Sequence, residues 1–368
     1  MNILISGYYG SKNGGDEAML AAMLEVLREN CNDVHATVIS LNPEYTKKRH
    51  KVDAVKWLDV FAIIKKILAA DLLISGGGSL LQNVTSRRSL YYYLGIIFLA
   101  LIFRRKVMLY AQGIGPIRGA LAHWLMNFIV NRVDLITVRD KGSLEELWRL
   151  NITKPKIFCT ADPVLAIKPV ALDFGKKILA RHSVKSGKLI GVSVRRWIDW
   201  ENCQNALAQA LDKLAEKLSA QIIFIPMQFP EDIKAAKSTA ALMKNSCVVL
   251  EDEFTTAEIL SLVGNMDVLI SIRLHALIFA GVMSVPMLGI SYDPKIDRFL
   301  DSIGEKPIGN LADVTADKIF DATLKKLDAK NFHNDSLLKN LRELAIKNAR
   351  LAMELMKGGD YQIDDEKN

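Results

Sequence analysis

Ser271-Ile272-Arg273-Leu274-His275 sets a permanent cation two residues from a group that titrates near neutrality. That combination can hold an anion and move a proton beside it. In a helix the Arg273 and His275 side chains would point about 200° apart. In an extended exit from a strand, Ser271, Arg273 and His275 share one face, and this is the expected arrangement. A helix is expected to start next and add positive potential at its N-terminus. Further cations recur at comparable places. Arg195-Arg196 follow Gly191-Val192-Ser193-Val194, with Ser193 and Arg195 on one strand face, and Lys295 follows Tyr292-Asp293-Pro294. Gln228 and Asp232 follow another apolar run. Guanidinium forks match carboxylate and phosphate geometry. This half of the chain is therefore expected to bind a small, strongly anionic ligand through Arg195, Arg196, Arg273, His275 and Lys295.

The first half offers neutral and acidic groups instead. Gly7-Tyr8-Tyr9-Gly10-Ser11-Lys12-Asn13-Gly14-Gly15-Asp16-Glu17 lacks the spacing of a dinucleotide fingerprint, although Gly14-Gly15 would let backbone N–H groups approach a ligand. Gly76-Gly77-Gly78-Ser79 makes a turn with no side chains in the way, and Gln112-Gly113-Ile114-Gly115-Pro116 presents an amide. Tyr8, Asn13, Asp16, Glu17, Gln112 and the backbone of Gly76, Gly77 and Gly78 suit a sugar ring bearing hydroxyls. For Asp16 a helix cap competes with that role. Arg139-Asp140 reads as a plain salt bridge and Asp162 as a turn cap.

These groups must sit at strand ends. Strands are expected at residues 2–6, 34–40, 71–75, 107–111, 134–138 and 156–159, with helices at 16–29, 58–69, 118–132 and 143–150. Runs such as Leu72-Leu73-Ile74 are continuously apolar, as in a parallel sheet covered on both faces. Pro163, Lys168-Pro169 and Asp173-Phe174-Gly175 break the pattern, placing a linker near 166–178. The alternation then restarts, with strands at 188–195, 221–226, 247–250, 267–271 and 286–291 and helices at 202–219, 231–243, 255–263 and 277–283. Two doubly wound α/β domains follow, 1–168 and 169–330. Residues 336–357 form a long amphipathic helix expected to return to the first domain, before a loose acidic tail.

Composition narrows the partners. The chain has 368 residues, half of them apolar, and Lys+Arg 48 against Asp+Glu 41 gives +7. A basic balance suits an anionic small molecule, a membrane face or nucleic acid. No basic helix or aromatic platform supports the last. Cys31, Cys159, Cys203 and Cys247 form no metal or redox motif. No export signal follows Met1, so a cytoplasmic setting is expected. Residues 90–103 are apolar but too short for a bilayer span, which needs roughly 20 residues. A buried helix is the favoured reading. Its flanks, Arg87-Arg88 and Arg104-Arg105-Lys106, also suit a transient contact with the inner membrane face.

The ordered motifs from Gly7 through Ala276 resemble the polysaccharide pyruvyl transferase family, most closely the CsaB type of bacterial cell-surface-anchoring enzymes. They are the Gly7–Glu17 loop, Ser75-Gly76-Gly77-Gly78-Ser79-Leu80, Gln112-Gly113-Ile114-Gly115-Pro116, Val138-Arg139-Asp140 and Ser271–Ala276. The resemblance implies a GT-B-like fold, two Rossmann-like domains facing a central cleft. It implies phosphoenolpyruvate as donor and a sugar as acceptor, giving a cyclic pyruvate ketal and free phosphate with no metal or organic cofactor. For CsaB-like members the acceptor is a lipid-linked unit containing N-acetylmannosamine, part of a secondary cell-wall polymer recognised by S-layer-homology domains. Arg273 and His275 are where the family would place donor binding and acid–base work, with Arg195 or Arg196 as a second donor arginine. Asp16 or Glu17 is the candidate base. Two rivals share these features: a nucleotide-sugar glycosyltransferase on the same frame, and a non-catalytic glycan-binding protein of cell-wall assembly.

Overall fold

The computed structural model describes residues 1–31, 33–84, 86–198, 200–329 and 335–358. The expected acidic tail beyond Gly358 lies outside them. The chain divides into two compact units. The first holds Met1–Ser11, Asp16–Ala166 and, of the described residues, 341–358; the second holds Lys12–Gly15 and the described residues of 167–340. Residues 12–15, inside the expected first domain, thus belong to the second unit.

In the first unit, β1 (Asn2–Tyr9), β2 (His35–Ser40), β3 (Asp53–Lys56), β4 (Leu72–Ser75), β5 (Lys106–Gln112), β6 (Leu135–Val138) and β7 (Lys156–Cys159) form one sheet. Its order is β3-β2-β1-β4-β5-β6-β7, parallel throughout. Strands such as β4 and β6 are buried along their whole length, which explains their unbroken apolar composition. α3 (Val60–Ala69), α4 (Arg87–Ile102), α5 (Ala120–Val130) and α6 (Lys141–Arg149) share one core cluster over one sheet face. The buried-helix reading of residues 90–103 holds for one side of α4 only. Leu90, Tyr93, Leu94 and Ile97 are buried, whereas Tyr91, Phe98 and Ile102 are exposed.

Two elements of this unit escape sequence periodicity. α2 (Pro43–His50) is polar all round, and it is set by its start: Asn42 accepts from the Tyr45 N–H and Pro43 occupies the first turn. β3 has only four residues and is never fully buried.

The second unit repeats the plan. β8 (Leu189–Ser193), β9 (Gln221–Phe224), β10 (Cys247–Val249), β11 (Val268–Ser271) and β12 (Met287–Gly289) form a parallel sheet ordered β10-β9-β8-β11-β12. Its helices are α7 (Asp173–Arg181), α8 (Trp200–Leu218), α9 (Glu231–Ala240), α10 (Thr256–Gly264), α11 (Leu274–Val282), α12 (Pro294–Ser302) and α13 (Ala316–Asp328). α7 corrects the expected linker. Asp173-Phe174-Gly175 opens a helix that packs on α10, with the Gly175 N–H donating to Ser261 Oγ at 2.8 Å. Each sheet reverses strand order once, between β1 and β4 and between β8 and β11. In open α/β sheets ligands gather outside the carboxyl ends at such reversals.

The last helix, α14 (Asp335–Lys357), begins in the second unit and ends in the first. Asn348 anchors its later half. It is fully buried, accepts from Thr160 Oγ1 at 2.8 Å and donates to the Ala161 carbonyl at 3.2 Å. Removing that amide orphans buried groups, at a cost of about 1–3 kcal/mol. Asn348→Ala should therefore lower the midpoint of chemical unfolding followed by circular dichroism, with an unchanged spectrum before the transition.

Candidate functional site

In the second unit the reversal point carries Arg195 and Arg273. Ser271 Oγ accepts the Arg273 N–H at 2.9 Å, which holds that residue extended (φ −93, ψ 118) as the N-cap of α11. The guanidinium turns toward α9. It forms a buried ion pair with Asp232 and donates to Gln228 Oε1 at 3.2 Å. The other Asp232 oxygen accepts the N–H groups of Met227 (3.1 Å) and Gln228 (2.9 Å). Arg195 donates to the Tyr292 hydroxyl at 2.8 Å and lies 4.6 Å over the Trp197 ring. Arg195, Arg196 and Arg273, with Gln228 and Asp232, line a pocket of about 550 Å³.

Three donors here are buried without a hydrogen-bond partner: the Nε groups of Arg195 and Arg273, and Ser193 Oγ. An orphaned buried donor costs free energy, more when charged, and an anionic acceptor removes that cost.

Two expected members stand apart from this lining. The helix begins at Leu274, so His275 sits in the first turn of α11 and not on an extended strand exit. Its ring faces the second glycine of Gly14-Gly15, where a Cβ on Gly15 would lie 2.1 Å from Nδ1. Lys295 sits in the first turn of α12, paired with Asp293 at 3.2 Å and 5.3 Å over the Tyr292 ring. Asn13 also belongs to this unit. Its side chain accepts the Gly15 N–H at 3.0 Å at the start of α1 (Gly14–Asn30), so the cap weighed against a ligand role for Asp16 is made by Asn13. Asn13 forms a β-bridge with Gln228, and the Gly14 N–H donates to the Met227 carbonyl at 2.5 Å.

In the first unit the reversal point gathers Tyr9, the Gly76–Gly78 turn and Gln112. Gln112 is fully buried and turns inward. Its Nε2 donates to the carbonyls of Ser75 (3.1 Å) and Gly76. The expected ligand-facing amide is thus a brace for the glycine turn. Tyr9 is fully buried, and its hydroxyl occupies the space where a Gly76 side chain would stand, 2.1 Å from an added Cβ. Burial foremost, then the Asp16 carboxylate, pushes its phenol well above 10.0. Ser6 Oγ, Tyr9 OH, Ser75 Oγ and Gln112 Oε1 are buried without hydrogen-bond partners, and Ser6 and Ser75 are neighbours in register.

Glu17 is spent structurally. It is 1% exposed and accepts from the Gly10 N–H at 2.9 Å and from His50 Nε2 at 2.7 Å. Asp16 lies in the first turn of α1, its carboxylate 3.5 Å from the position of a Gly78 Cβ. Tyr8 is 43% exposed. Arg139 pairs with Asp162 at 3.1 Å, closer than its neighbour Asp140 at 3.8 Å, and donates to Ser79 Oγ at 3.0 Å. Asp162 also accepts the Val164 N–H, the turn cap expected of it. Burial pushes the Cys203 thiol to about 12 and also raises Cys159 and Cys247, so none of these three is an activated thiolate. Among the described residues no group of three or more His, Cys, Asp or Glu is placed to hold a metal.

Sequence reasoning named Asp232 and Gln228 only as neighbours of a strand, although they orient Arg273. The one signal for them was an acid in the first turn of a helix that follows a strand.

The profile of the polysaccharide pyruvyl transferase family matches residues 13–294, more than half of the chain. A curated relative, the amylovoran biosynthesis protein AmsJ of Erwinia amylovora, is 21% identical over 359 residues, covering 83% of this chain and 86% of that protein. The chain belongs to the polysaccharide pyruvyl transferase family and is a transferase acting in polysaccharide pyruvylation. Among solved structures it is similar to a putative UDP-N-acetylglucosamine 2-epimerase from Listeria monocytogenes (TM-score 0.71, 13% identity, 98% and 97% of the two chains). It is also similar to the UDP-GlcNAc 2-epimerase of Methanocaldococcus jannaschii (TM-score 0.68, 14%, 97% and 100%). At such identities the likeness establishes the fold, which is GT-B-like as expected.

The Arg273–Asp232 pair generates a test. Asp232→Asn leaves a buried guanidinium without its counter-charge, a loss of about 3–5 kcal/mol. Arg273→Gln alone should cost a similar amount, and the double variant much less than their sum. Urea unfolding of the four proteins checks this coupling; simple additivity would show that the pair does not act as a unit.

Proposed function

We propose that the enzyme transfers pyruvate from phosphoenolpyruvate to a sugar as a cyclic ketal, with the donor held in the second unit. The orphaned Nε groups of Arg195 and Arg273 at a shared pocket carry this reading. Phosphoenolpyruvate has a carboxylate and a phosphate, so two separate cationic contacts suit it. Arg196 lines the same pocket, and Lys295 adds charge through the Tyr292 rim. The acceptor is assigned to the first unit, to Tyr8, Asp16 and the Gly76–Gly78 backbone, with Gln112 bracing that turn from below; Asn13, expected among them, lies in the second unit. Glu17 supports that loop without touching substrate.

The chemistry balances with no further reactant. A sugar hydroxyl adds to carbon two of the enol while carbon three takes a proton, forming a phosphate-bearing ketal. The second hydroxyl displaces phosphate and closes the ring, its proton leaving with phosphate or base. His275, two residues after Arg273, supplies the proton to carbon three, a role suited to imidazole near neutrality. Asp16 receives the hydroxyl proton. By its motifs the enzyme is of the CsaB type, and the acceptor is an N-acetylmannosamine unit of a lipid-linked cell-wall polymer precursor. One rival draws on the fold: the Listeria and Methanocaldococcus neighbours are named for UDP-sugar substrates, and the same orphaned donors would accept a diphosphate.

Thermal shift with phosphoenolpyruvate against a panel of nucleotide sugars separates the two, and stabilisation by the sugars alone would overturn the proposal. In phosphate-release assays Arg195→Ala should raise KM for phosphoenolpyruvate about 10- to 100-fold, the equivalent of one charge-assisted hydrogen bond. His275→Ala should lower kcat by roughly 10²–10⁴.

The hydroxyl of Tyr9 gives an independent check on the acceptor side. Because it has no partner, Tyr9→Phe should leave the unfolding midpoint level or slightly raised. If that hydroxyl binds acceptor, the same variant raises the acceptor KM while the donor KM stays constant. Unchanged kinetics for both substrates would remove Tyr9 from the site.

A further inference from the structure

Three consecutive helices over one face of the first sheet, α3, α4 and α5, contain no acidic residue. Their inner sides enter the same core, through Ile63 and Ile67, Leu90 and Leu94, and Met126 and Ile129. α4 packs against both neighbours, so the outer sides make one continuous surface. That surface is apolar. Phe61 is 88% exposed, Leu121 61% and Trp124 58%, and Tyr91, Phe98 and Ile102 add to them. Trp124 stacks on Phe128 at 5.2 Å, and Phe128 meets Phe98 at 6.3 Å, which joins the α4 and α5 portions. Acidic residues first enter on α6, the next helix on the same face, which carries Glu145 and Glu146 beside an exposed Trp148.

Cations fringe the patch. Lys65, Arg87, Arg88, Arg104 and Arg118 are exposed, and none has an acidic partner among the described residues. The carboxylates beside α3 are engaged elsewhere: Asp59 caps the helix through the Ala62 N–H, Asp71 accepts the Asn2 N–H at 2.8 Å and Asp53 pairs with Lys66 at 3.5 Å. Large apolar side chains in water, contiguous and rimmed by one sign of charge, mark a docking surface. Interfacial tryptophan and flanking lysine and arginine are the side chains that settle at lipid headgroup level.

We propose that the α3–α4–α5 face rests on a bilayer containing anionic lipid. Phe61, Leu121 and Trp124 enter the headgroup boundary, and the arginine fringe meets lipid phosphates. Charge decides against a second copy of the chain as occupant. A two-fold interface sets the same patch against itself, bringing one fringe of cations against the other, whereas an anionic surface complements it. The contact is peripheral, because no helix among the described residues is long and apolar enough to cross a membrane. The assignment goes beyond the donor chemistry and does not depend on it, since vesicle binding needs no turnover.

The test is cosedimentation of the full chain with vesicles of phosphatidylcholine alone and of phosphatidylcholine mixed with phosphatidylglycerol. Binding should be seen with the anionic vesicles, fall steeply at high salt, and drop at least tenfold in Phe61→Asp/Trp124→Asp. Arg87→Glu/Arg88→Glu should lose most of the salt-sensitive part. Phosphate release with a water-soluble acceptor should stay at the wild-type rate in both variants, which shows that they fold. Bromine-labelled lipid should quench the wild-type tryptophan emission more than that of Trp124→Phe. No binding of wild type at low salt, or equal binding of wild type and Phe61→Asp/Trp124→Asp, overturns the proposal. So does a wild-type dimer that the same variant dissociates while neither binds vesicles. If phosphoenolpyruvate fails as donor but the vesicle results hold, only the functional reading falls.

Discussion

A guanidinium and a carboxylate withdrawn from water together are tolerated only when each finds its partner with good geometry and the remaining atoms are also satisfied. In the second unit that condition falls on Arg273 and Asp232. Asp232 meets it fully, with two backbone N–H groups on its second oxygen. Arg273 meets it only in part, because its Nε is left over. The surplus matters because the pair is also the hub of three chain segments. Asp232 shapes the turn after β9, Ser271 pins the Arg273 backbone, and Gln228 reaches both Arg273 and the segment containing Asn13. A pocket built on such a hub is preorganised: its cations are held before any ligand arrives, which limits the ordering cost of binding.

The first unit solves a related problem with neutral groups. The glycine turn after β4 has no side chains to hold it, so buried neighbours do so from below. Gln112 fastens its carbonyls and the Tyr9 ring fills the room that glycine leaves. What remains open, two serine hydroxyls, a phenol and an amide oxygen, is uncharged. The difference between the two reversal points, lined by arginines in one unit and by hydroxyls, an amide and the Asp16 carboxylate in the other, is the physical basis on which the anionic donor and the sugar are proposed for different units.

The first sheet's helices show how a surface can carry meaning that a single segment does not. Residues 90–103 alone read as an apolar stretch with basic ends. Only packing shows that half of α4 is core and the other half continues into Phe61 on α3 and Trp124 on α5. These residues are far apart in the chain and carry no motif.

Repeated apolar runs separated by helical patterns were enough to determine two parallel α/β units, and β7 even has its expected bounds. The ordered glycine motifs and Arg-x-His were enough to indicate the family. Both are local signals: period and spacing are visible in a window of a few residues. α2 and α7 were not legible, because capping and docking set them rather than an apolar stripe. The site was legible only as a set of candidates. Tertiary structure decided that Arg195, Arg196 and Arg273 share a pocket and that Lys295 lies outside its lining. It also decided that His275 enters a helix, that Glu17 is consumed by His50 and that Gln112 braces a turn. Each of those outcomes depends on a partner distant in sequence, such as Asp232 for Arg273 at a separation of 41 residues. No local pattern encodes which buried polar group will meet which, because that pairing is settled by how the layers pack.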